Sequence, residues 1–219
     1  MGPPLHPKGK PVCGELERWA RRASVGALIG LDEAGRGPLA GPVVAAAVAL
    51  PHPCPIRGLD DSKRLDEARR ETLFTRICER AVGYAIASCD HAEIDRINIL
   101  QASLTAMARA WQELTERTPS LVDAVVLVDG KMTAKLPKTV SQYPAVKGDA
   151  RSYNIAAASI LAKVTRDRLM VEYDAQFPEY GFARHKGYPT AAHREALERH
   201  GPCAIHRRSF NLPAQMTLF

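Results

Sequence analysis

Hydrophobic and polar positions along this chain follow two different spacings. Five short apolar runs lie between segments rich in Gly, Pro or polar residues, and this pattern predicts strands. The runs cover residues 27–32, 42–50, 83–88, 124–128 and 143–146. Four longer segments repeat their apolar residues every three or four positions, which predicts helices over residues 65–81, 90 to about 117, 152 to about 176, and 190–200. Because strands precede helices, the pattern indicates an α/β core with a helical C-terminal portion.

Acidic residues recur at or just beyond the ends of the predicted strands. Asp32 and Glu33 follow the first run, Asp129 follows the fourth, and Asp149 comes shortly after the fifth. Functional sites gather at that edge of α/β sheets. Adjacent carboxylates repel each other and are costly to bury unless a cation compensates them, and a divalent metal is the usual cation. Four such acids would coordinate two Mg²⁺ ions roughly 3.5–4 Å apart, one activating water and one stabilising the leaving oxygen.

Each of these acids also has an ordinary structural interpretation. A single Asp after a strand most often forms a turn or caps a helix, and Asp149 could cap the helix predicted from residue 152. Four acids share the same position at or just beyond the end of a predicted strand, and two of them are adjacent. This combination favours the metal site.

The acid pair is followed closely by a glycine-rich segment, Gly35-Arg36-Gly37-Pro38-Leu39-Ala40-Gly41. Glycines let the backbone approach a ligand closely, and Arg36 adds a fixed cation. The segment lacks the closing Gly-Lys-Ser/Thr of a Walker loop, and it could also be a tight connection between strands. Neither a GxSxG motif nor an activated cysteine is present to suggest a protein nucleophile. Acids that can bind a metal, next to a glycine-rich loop that can bind a phosphodiester, indicate a nuclease.

The net charge of +6 and the pI near 9.2 favour a polyanionic partner. From residue 184 onward the sequence contains six Arg or Lys residues and only two Glu residues, which predicts a basic patch. Lys63 and Lys186 could reach phosphates, and Tyr188 could stack on a sugar or base, although a lone tyrosine at a turn is more often structural. Residues 206–210 (HRRSF) are either a solvated charge run or a backbone clamp.

Five scattered cysteines without CxxC spacing argue against a disulfide framework and a zinc site, and they favour a cytoplasmic location. No apolar stretch reaches the roughly 18 residues that a membrane span needs, so no membrane partner is expected. We expect residues 1–24 to be a flexible extension, residues 25–212 to form one domain and residues 213–219 to form a tail. Nothing in the sequence suggests more than a monomer.

Seven motifs resemble the ribonuclease HII family, and they occur in the family's order. They are Gly30–Leu39, Asp61–Lys63, Val128–Gly130, Val146–Asp149, Ala157–Val164, His185–Thr190 and His206–Phe210. The resemblance implies an RNase H-like fold with a mixed central sheet flanked by helices, plus a C-terminal helical region. It further implies Mg²⁺- or Mn²⁺-dependent cleavage of RNA in RNA–DNA hybrids and incision 5′ to single ribonucleotides in duplex DNA, as in ribonucleotide excision repair. The products would carry 3′-hydroxyl and 5′-phosphate ends.

Carried over residue by residue, the resemblance makes Asp32, Glu33, Asp129 and Asp149 the catalytic, metal-binding carboxylates. It makes Gly35, Arg36 and Gly37 the segment that reads the ribose 2′-hydroxyl. It makes Tyr188 the tyrosine that packs against the following deoxyribose. Close backbone contacts suit this task, because only a 2′-hydroxyl separates RNA from DNA at one nucleotide.

The last five residues resemble the bacterial sliding-clamp-binding peptide. Gln215, Met216, Leu218 and Phe219 suit an extended peptide whose side chains enter a hydrophobic pocket. The alternative is an apolar tail that docks on its own domain.

Two other functions remain compatible with the residues. A DNA-resolving nuclease on the same fold would cleave all-DNA substrates without a 2′-hydroxyl reader. A catalytically silent nucleic-acid-binding module would not need all four acids.

Overall fold

A five-stranded sheet forms the centre of the fold, which a computed structural model describes for residues 2–6 and 13–213. The strands are β1 (Leu28–Ala34), β2 (Val43–Ala49), β3 (Gly83–Cys89), β4 (Val125–Asp129) and β5 (Gln142–Ala145). Their order in the sheet is β3-β2-β1-β4-β5. The pairs β1–β2 and β2–β3 are antiparallel, whereas β1–β4 and β4–β5 are parallel. The predicted mixed sheet is therefore confirmed.

Helices cover both faces of the sheet. In the described part of the chain they are α1 (Glu15–Arg22), α2 (Glu67–Arg80), α3 (His91–Ile97), α4 (Ile99–Arg117), α5 (Tyr153–Gln176), α6 (Phe182–His185) and α7 (Ala191–His200). Side chains alternate between the two faces along β2. Val44, Ala46 and Val48 pack with α2 and α5, and the residues between them pack with α3 and α4. Across residues 2–6 and 13–213, no helix combines the length and apolar character needed to cross a bilayer.

Helix α5 lies directly on β1 because Gly30 has no side chain. A Cβ atom at Gly30 would lie 2.3 Å from the backbone nitrogen of Ile155, so only glycine permits this approach. The following residues Ala156, Ala157 and Ala158 are fully buried, and their small side chains let the helix and sheet pack closely. The first turn of α5 is therefore fixed against the strand that carries Asp32.

The segment predicted as one helix from residue 90 to about 117 is two helices. The chain breaks at Asn98, which has a φ of 64° and whose side chain accepts a hydrogen bond from the Gln101 N–H to cap α4. Asn is one of the few residues that tolerate the left-handed region and also cap helices well. The apolar spacing continues across the break, so periodicity alone did not reveal it.

The structure also differs from the expected flexible extension over residues 1–24, because α1 lies within it. Leu16 is fully buried, and its N–H donates to the Arg151 carbonyl at 3.2 Å. Glu15 pairs with the buried Arg151 guanidinium at 3.0 Å. Glu17 accepts from the Ser152 hydroxyl at 2.6 Å, which places a carboxylate at the N-terminus of α5. These polar contacts, rather than a long apolar face, hold α1.

The C-terminal region contains a network of neutral histidines. The Cys203 N–H donates to His206 Nδ1 at 3.0 Å, so the His206 proton is on Nε2. That proton is donated to His193 Nε2 at 3.0 Å, and His193 Nδ1 then donates to the Tyr188 carbonyl at 3.0 Å. The His193 ring also stacks on His185. The network holds the turn that carries Tyr188.

This network should make the protein lose stability as pH falls. Burial lowers the pKa of His193 to about 4 and that of His206 to about 3, with Arg194, Arg208 and His185 adding repulsion. The unfolded chain, with histidine pKa values near 6.5, then binds more protons than the folded chain, so the contribution is complete above pH 6.5 and is lost toward pH 3–4. Between pH 7 and pH 5, the stability advantage of wild type over a His193→Gln/His206→Gln double variant should fall by at least about 2 kcal/mol.

Urea unfolding of both proteins across this pH range measures the difference. An exposed histidine, His200, provides the matched control, since His200→Gln should leave the pH dependence unchanged. A constant difference between wild type and the double variant would contradict the neutral-network interpretation.

Candidate active site

The parallel pairing of β1 with β4 brings two of the predicted acids side by side. The register ends with Leu31 beside Val128. The next residue on each strand is Asp32 and Asp129, and Glu33 follows on β1. The structure thus brings these three carboxylates to one edge of the sheet.

Asp149 joins them through the short 3-10 turn after β5. Within that turn the Gly148 N–H donates to Oδ1 of Asp129 at 2.7 Å, which links β5 to the end of β4. Oδ1 of Asp149 accepts from the Ala150 N–H at 2.8 Å. Asp149 does not cap α5, because Ser152 occupies the N-cap position. The ordinary capping role considered for Asp149 is therefore filled by another residue.

Burial raises the pKa of all four carboxyl groups, and repulsion from neighbouring acids adds to this at Asp32, Glu33 and Asp149. Asp32 is 6% exposed, and burial followed by the charges of Asp129, Glu33 and Asp149 raises its pKa well above the usual range. Burial raises the pKa of Glu33 to about 7 although Arg36 opposes the shift. Burial and the Asp129 charge raise the pKa of Asp149 to about 6. Burial also raises the pKa of Asp129, against the effect of the backbone N–H groups that bond it.

The carboxylates form a donor set suited to a divalent cation. Their hard oxygen atoms are the ligands that Mg²⁺ and Mn²⁺ prefer. Burial, with repulsion from neighbouring acids, makes the ionised carboxylates costly without an added cation. In the described residues no three acidic, histidine or cysteine side chains already surround one ion position. The acids therefore converge on one region without forming a closed cage.

Two cations of the chain lie beside the acids. Burial would lower the pKa of Lys63, but the nearby carboxylates, Asp61 first and then Asp32, outweigh it and raise that pKa. The Arg36 guanidinium lies 3.3 Å from Oε1 of Glu33. These two cations offset only part of the formal negative charge of the four acids.

Two cavities adjoin this edge of the sheet. One of about 260 Å³ is lined by Asp32, residues 34–37, Lys63, Lys163 and Tyr188, among others. The other, of about 330 Å³, contains Asp129 and part of α4, and Glu33 and Arg36 line both. A third cavity of about 380 Å³ lies at the other end of β1 and contains none of the predicted site residues. Asp32, Glu33 and Asp129 therefore share one cleft with the glycine-rich loop, whereas Asp149 lines neither cavity.

The glycine-rich loop needs glycine at its first position. Gly35 has a φ of +100°, and a Cβ there would lie 2.1 Å from Nε of Arg166 and 2.8 Å from the Pro42 carbonyl oxygen. At Gly37 an added Cβ would contact the Tyr188 ring at 3.6 Å. Tyr188 is 40% exposed, so its ring is available beside the loop.

Lys186 is placed differently from the other predicted contacts. Its ammonium group donates to the Ala183 carbonyl, and Lys186 does not line either of the two site cavities. Lys63 and Tyr188 do line the cleft. The structure thus brings together two of these three predicted nucleic-acid contacts.

Two buried arginines hold the loop by hydrogen bonds to its backbone carbonyls. Neither of them was assigned a role from the sequence. Arg207, in the segment left open as a solvated run or a clamp, is fully buried and donates to the protein's own Gly35 carbonyl at 2.6 Å. Arg166 is 1% exposed and donates to the Pro42 carbonyl at 3.0 Å. A charged residue continuing the buried face of the Ala-rich helix α5 was the available signal for Arg166. Arg207 is therefore not part of a solvated charge run, whereas its neighbour Arg208 is exposed.

Residues Gln215, Met216, Leu218 and Phe219 lie outside the described residues. The prediction of a clamp-binding tail therefore rests on the sequence alone.

Comparison with known proteins identifies a single family. The model of the family described as Ribonuclease HII matches residues 29–212. Ribonuclease HII of Geobacter sulfurreducens is 52% identical over 201 residues, covering 92% of this chain and 89% of the relative. Ribonuclease HII of Geobacter metallireducens is 53% identical over 197 residues, covering 89% and 88% of the two chains.

Solved structures show the same likeness. Ribonuclease H2 from Pyrococcus horikoshii OT3 superposes with a TM-score of 0.68 at 27% identity, covering 85% of this chain and 94% of that one. The ribonuclease HII of a PCNA complex from Archaeoglobus fulgidus gives a TM-score of 0.65 at 25% identity, covering 88% and 98%. Bst-RNase HIII in complex with Mn²⁺ shares the fold at a TM-score of 0.66 and 18% identity, covering 84% and 67%.

Because the four site carboxylates are crowded together, we expect that removing one of them stabilises the metal-free protein. Asp32→Asn should raise stability in EDTA at pH 8 by about 2 kcal/mol, or roughly 4–8 °C in Tm for a chain of this size. The amide keeps an acceptor for the Glu33 N–H, which now donates to Asp32 Oδ1 at 2.7 Å. Thermal unfolding with and without Mg²⁺ measures this effect, and Mg²⁺ should raise the Tm of wild type more than that of the variant.

Asp95 is the matched control, because its carboxylate is satisfied. It accepts hydrogen bonds from Ser209 Oγ and from the N–H groups of Arg208 and Ser209. These bonds outweigh partial burial and lower the pKa of Asp95. Asp95→Asn should therefore lower the Tm, and a fall in Tm for both variants would contradict the proposed repulsion among the site acids.

Proposed function

The chain belongs to the ribonuclease HII family, a family of metal-dependent endoribonucleases, and from this we propose that it hydrolyses the RNA strand of RNA–DNA hybrids and incises duplex DNA on the 5′ side of single embedded ribonucleotides. The products carry 3′-hydroxyl and 5′-phosphate ends. The observation that supports this best is the shared cleft, which Asp32, Glu33 and Asp129 line together with the Gly35–Gly37 loop, with Asp149 joined to Asp129 through the Gly148 hydrogen bond.

Asp32, Glu33, Asp129 and Asp149 hold the metal in this proposal. Two divalent cations, Mg²⁺ or Mn²⁺, would supply an activated water and neutralise charge on the leaving oxygen. The protein's part is to hold the carboxylate oxygens at one edge of the sheet. Lys63, the cation whose pKa these carboxylates raise, lies where it can contact a phosphate of the bound strand.

The Gly35–Gly37 loop and Tyr188 select the substrate. The loop exposes backbone close to the acids, which suits recognition of a 2′-hydroxyl. The Tyr188 ring beside Gly37 would pack against the next sugar and exclude a 2′-hydroxyl there. Together they favour cleavage at an RNA–DNA junction.

A cleavage assay with matched duplexes tests the function. In Mg²⁺, a duplex with one embedded ribonucleotide should be cut on its 5′ side, and an all-DNA duplex of the same sequence should stay intact. EDTA should abolish the reaction, and Asp129→Asn should lower its rate by at least about a thousandfold because a metal ligand is lost.

The two alternatives give different results in the same assay. Cleavage of both duplexes would indicate a resolving-type nuclease without a 2′-hydroxyl reader. Binding with no cleavage of either duplex would indicate a silent nucleic-acid-binding module. Ligation of the product to an oligonucleotide that carries a 5′-phosphate tests for the proposed 3′-hydroxyl end.

We further propose that the C-terminal peptide binds a sliding clamp. The PCNA complex of the Archaeoglobus fulgidus protein supports clamp binding as an interaction of a related chain. Deletion of residues 215–219 should abolish capture by a bacterial sliding clamp in a pull-down while leaving cleavage of a short duplex unchanged. Thr217→Ala is the matched control, because Thr217 is not one of the anchoring side chains. Unchanged clamp capture after the deletion would disprove this role.

A further inference from the structure

Two buried arginines beside the glycine-rich loop have no acidic partner. Arg166 and Arg207 are 1% and 0% exposed, and within residues 2–6 and 13–213 neither forms a salt bridge. Burial lowers the pKa of Arg166 to about 10, and burial together with the Arg166 charge lowers the pKa of Arg207 to about 9. Both groups remain protonated at neutral pH, so two positive charges are fixed inside the protein.

Arg207 uses all three of its guanidinium nitrogens on the carbonyl groups at the two ends of the loop. Nη2 donates to Gly35 O at 2.6 Å and to Pro42 O at 3.2 Å. Nη1 donates to Arg36 O at 3.1 Å, and Nε donates to Gly41 O at 2.9 Å. One side chain therefore ties the start of the loop to its end.

Arg166 joins the same loop to the turn that carries Tyr188. Its Nε donates to Pro42 O at 3.0 Å, and Nη2 donates to Ala40 O at 3.1 Å. Nη1 donates to Lys186 O at 3.0 Å, and the guanidinium carbon lies 5.9 Å from the centre of the Tyr188 ring. Arg166 thereby fixes the loop relative to the tyrosine.

A third buried arginine shows that the missing acids are not a general property of this chain. Arg151 is also 0% exposed, but Glu15 accepts from both its Nε and Nη2, at 3.2 and 3.0 Å. Burying a charge without a counter-ion destabilises a protein, and such violations concentrate at functional sites. The uncompensated pair lies under the loop that lines the cleft.

The carbonyl contacts determine which way the loop's N–H groups point. In a planar trans peptide, the C=O and the following N–H point in opposite directions. Arg207 holds the carbonyls of Gly35 and Arg36, so the N–H groups of Arg36 and Gly37 point away from the guanidinium. Neither N–H has a hydrogen-bond partner in the described part of the chain. Both residues line the cleft, and the guanidinium polarises these peptides toward stronger N–H donors.

We propose that Arg166 and Arg207 are positioning residues for ribonucleotide recognition, which set the Arg36 and Gly37 N–H groups as a pair of donors to the sugar–phosphate of the ribonucleotide. The inference rests on the proposed function and adds the residues that orient its reader. Their charges also favour the phosphate from beneath the loop, where a carboxylate partner would cancel them.

Binding to two matched duplexes tests the proposal. The proteins carry Asp129→Asn to prevent cleavage, and the duplexes differ only by one ribonucleotide. Arg207→Lys keeps the charge but loses the planar fork, so the preference for the ribonucleotide duplex should fall about tenfold or more. Affinity for the all-DNA duplex should change by less than about twofold, because the charge remains.

Arg151→Lys is the matched control, since it alters an equally buried arginine whose hydrogen bonds go to Glu15 and to backbone outside the loop. It should lower the Tm and leave the preference unchanged. If Arg207→Lys does not fold, Arg166→Lys is measured in the same assay, because it removes fewer loop contacts. A folded Arg207→Lys or Arg166→Lys protein with the full preference would overturn the proposal. Absence of any preference in the Asp129→Asn parent, with no cleavage by wild type, would instead overturn the proposed function and this inference with it.

Amide hydrogen exchange provides a second test without altering either arginine. In the Asp129→Asn protein, the amides of Arg36 and Gly37 should exchange rapidly when free. The ribonucleotide duplex should slow them markedly more than the all-DNA duplex. Equal protection by the two duplexes would overturn the donor role of these amides.

Discussion

The parallel pairing of β1 with β4 is the constraint on which the site depends. Asp32 and Asp129 are 97 positions apart in the chain, yet the register places them on neighbouring strands at the same edge. The contact of α5 with Gly30 holds β1 from one face of the sheet. Any slip of this pairing would separate the acids, because each residue of slip moves a side chain to the opposite face. A rigid scaffold therefore holds a group of charges that repel one another.

Two sets of unbalanced charge lie close together in this molecule and do not neutralise each other. The acids at the end of β1 lack enough cations, and the arginines under the loop lack acids. Glu33 with Arg36 is the one ion pair recorded between the four acids and the glycine-rich loop in the described residues. A metal ion and a phosphodiester, opposite in charge, are the partners that would complete these two sets. We expect this imbalance to lower the stability of the free protein and, in the proposed function, to favour binding of both partners.

The sequence predicted the strands well, since they depend on local patterns, and the role of the four acids as metal ligands stays a prediction. Apolar runs predicted all five strands, and an acid at the end of a strand is visible in one dimension. The split at Asn98 was missed because the apolar spacing continues through it. Arg207 could not be assigned from the sequence, because a charged run is the same string of letters whether it is solvated or buried. Its burial depends on pairing between residues 39–41 and 205–207, which is a long-range contact.

In the proposed function, substrate choice and metal binding would be mechanically connected. Ala34 alone separates Glu33, at the end of the acid pair, from Gly35, where the loop begins. Arg207 ties the first residue of that loop to its far end, which restrains the loop directly beside the acids. A sugar that fails to meet the loop amides would hold its phosphate away from the carboxylate edge, because the two cannot adjust separately. Discrimination would then appear in the rate of cleavage as well as in affinity, since misplacing the reacting phosphate by about 1 Å already costs roughly a hundredfold in rate.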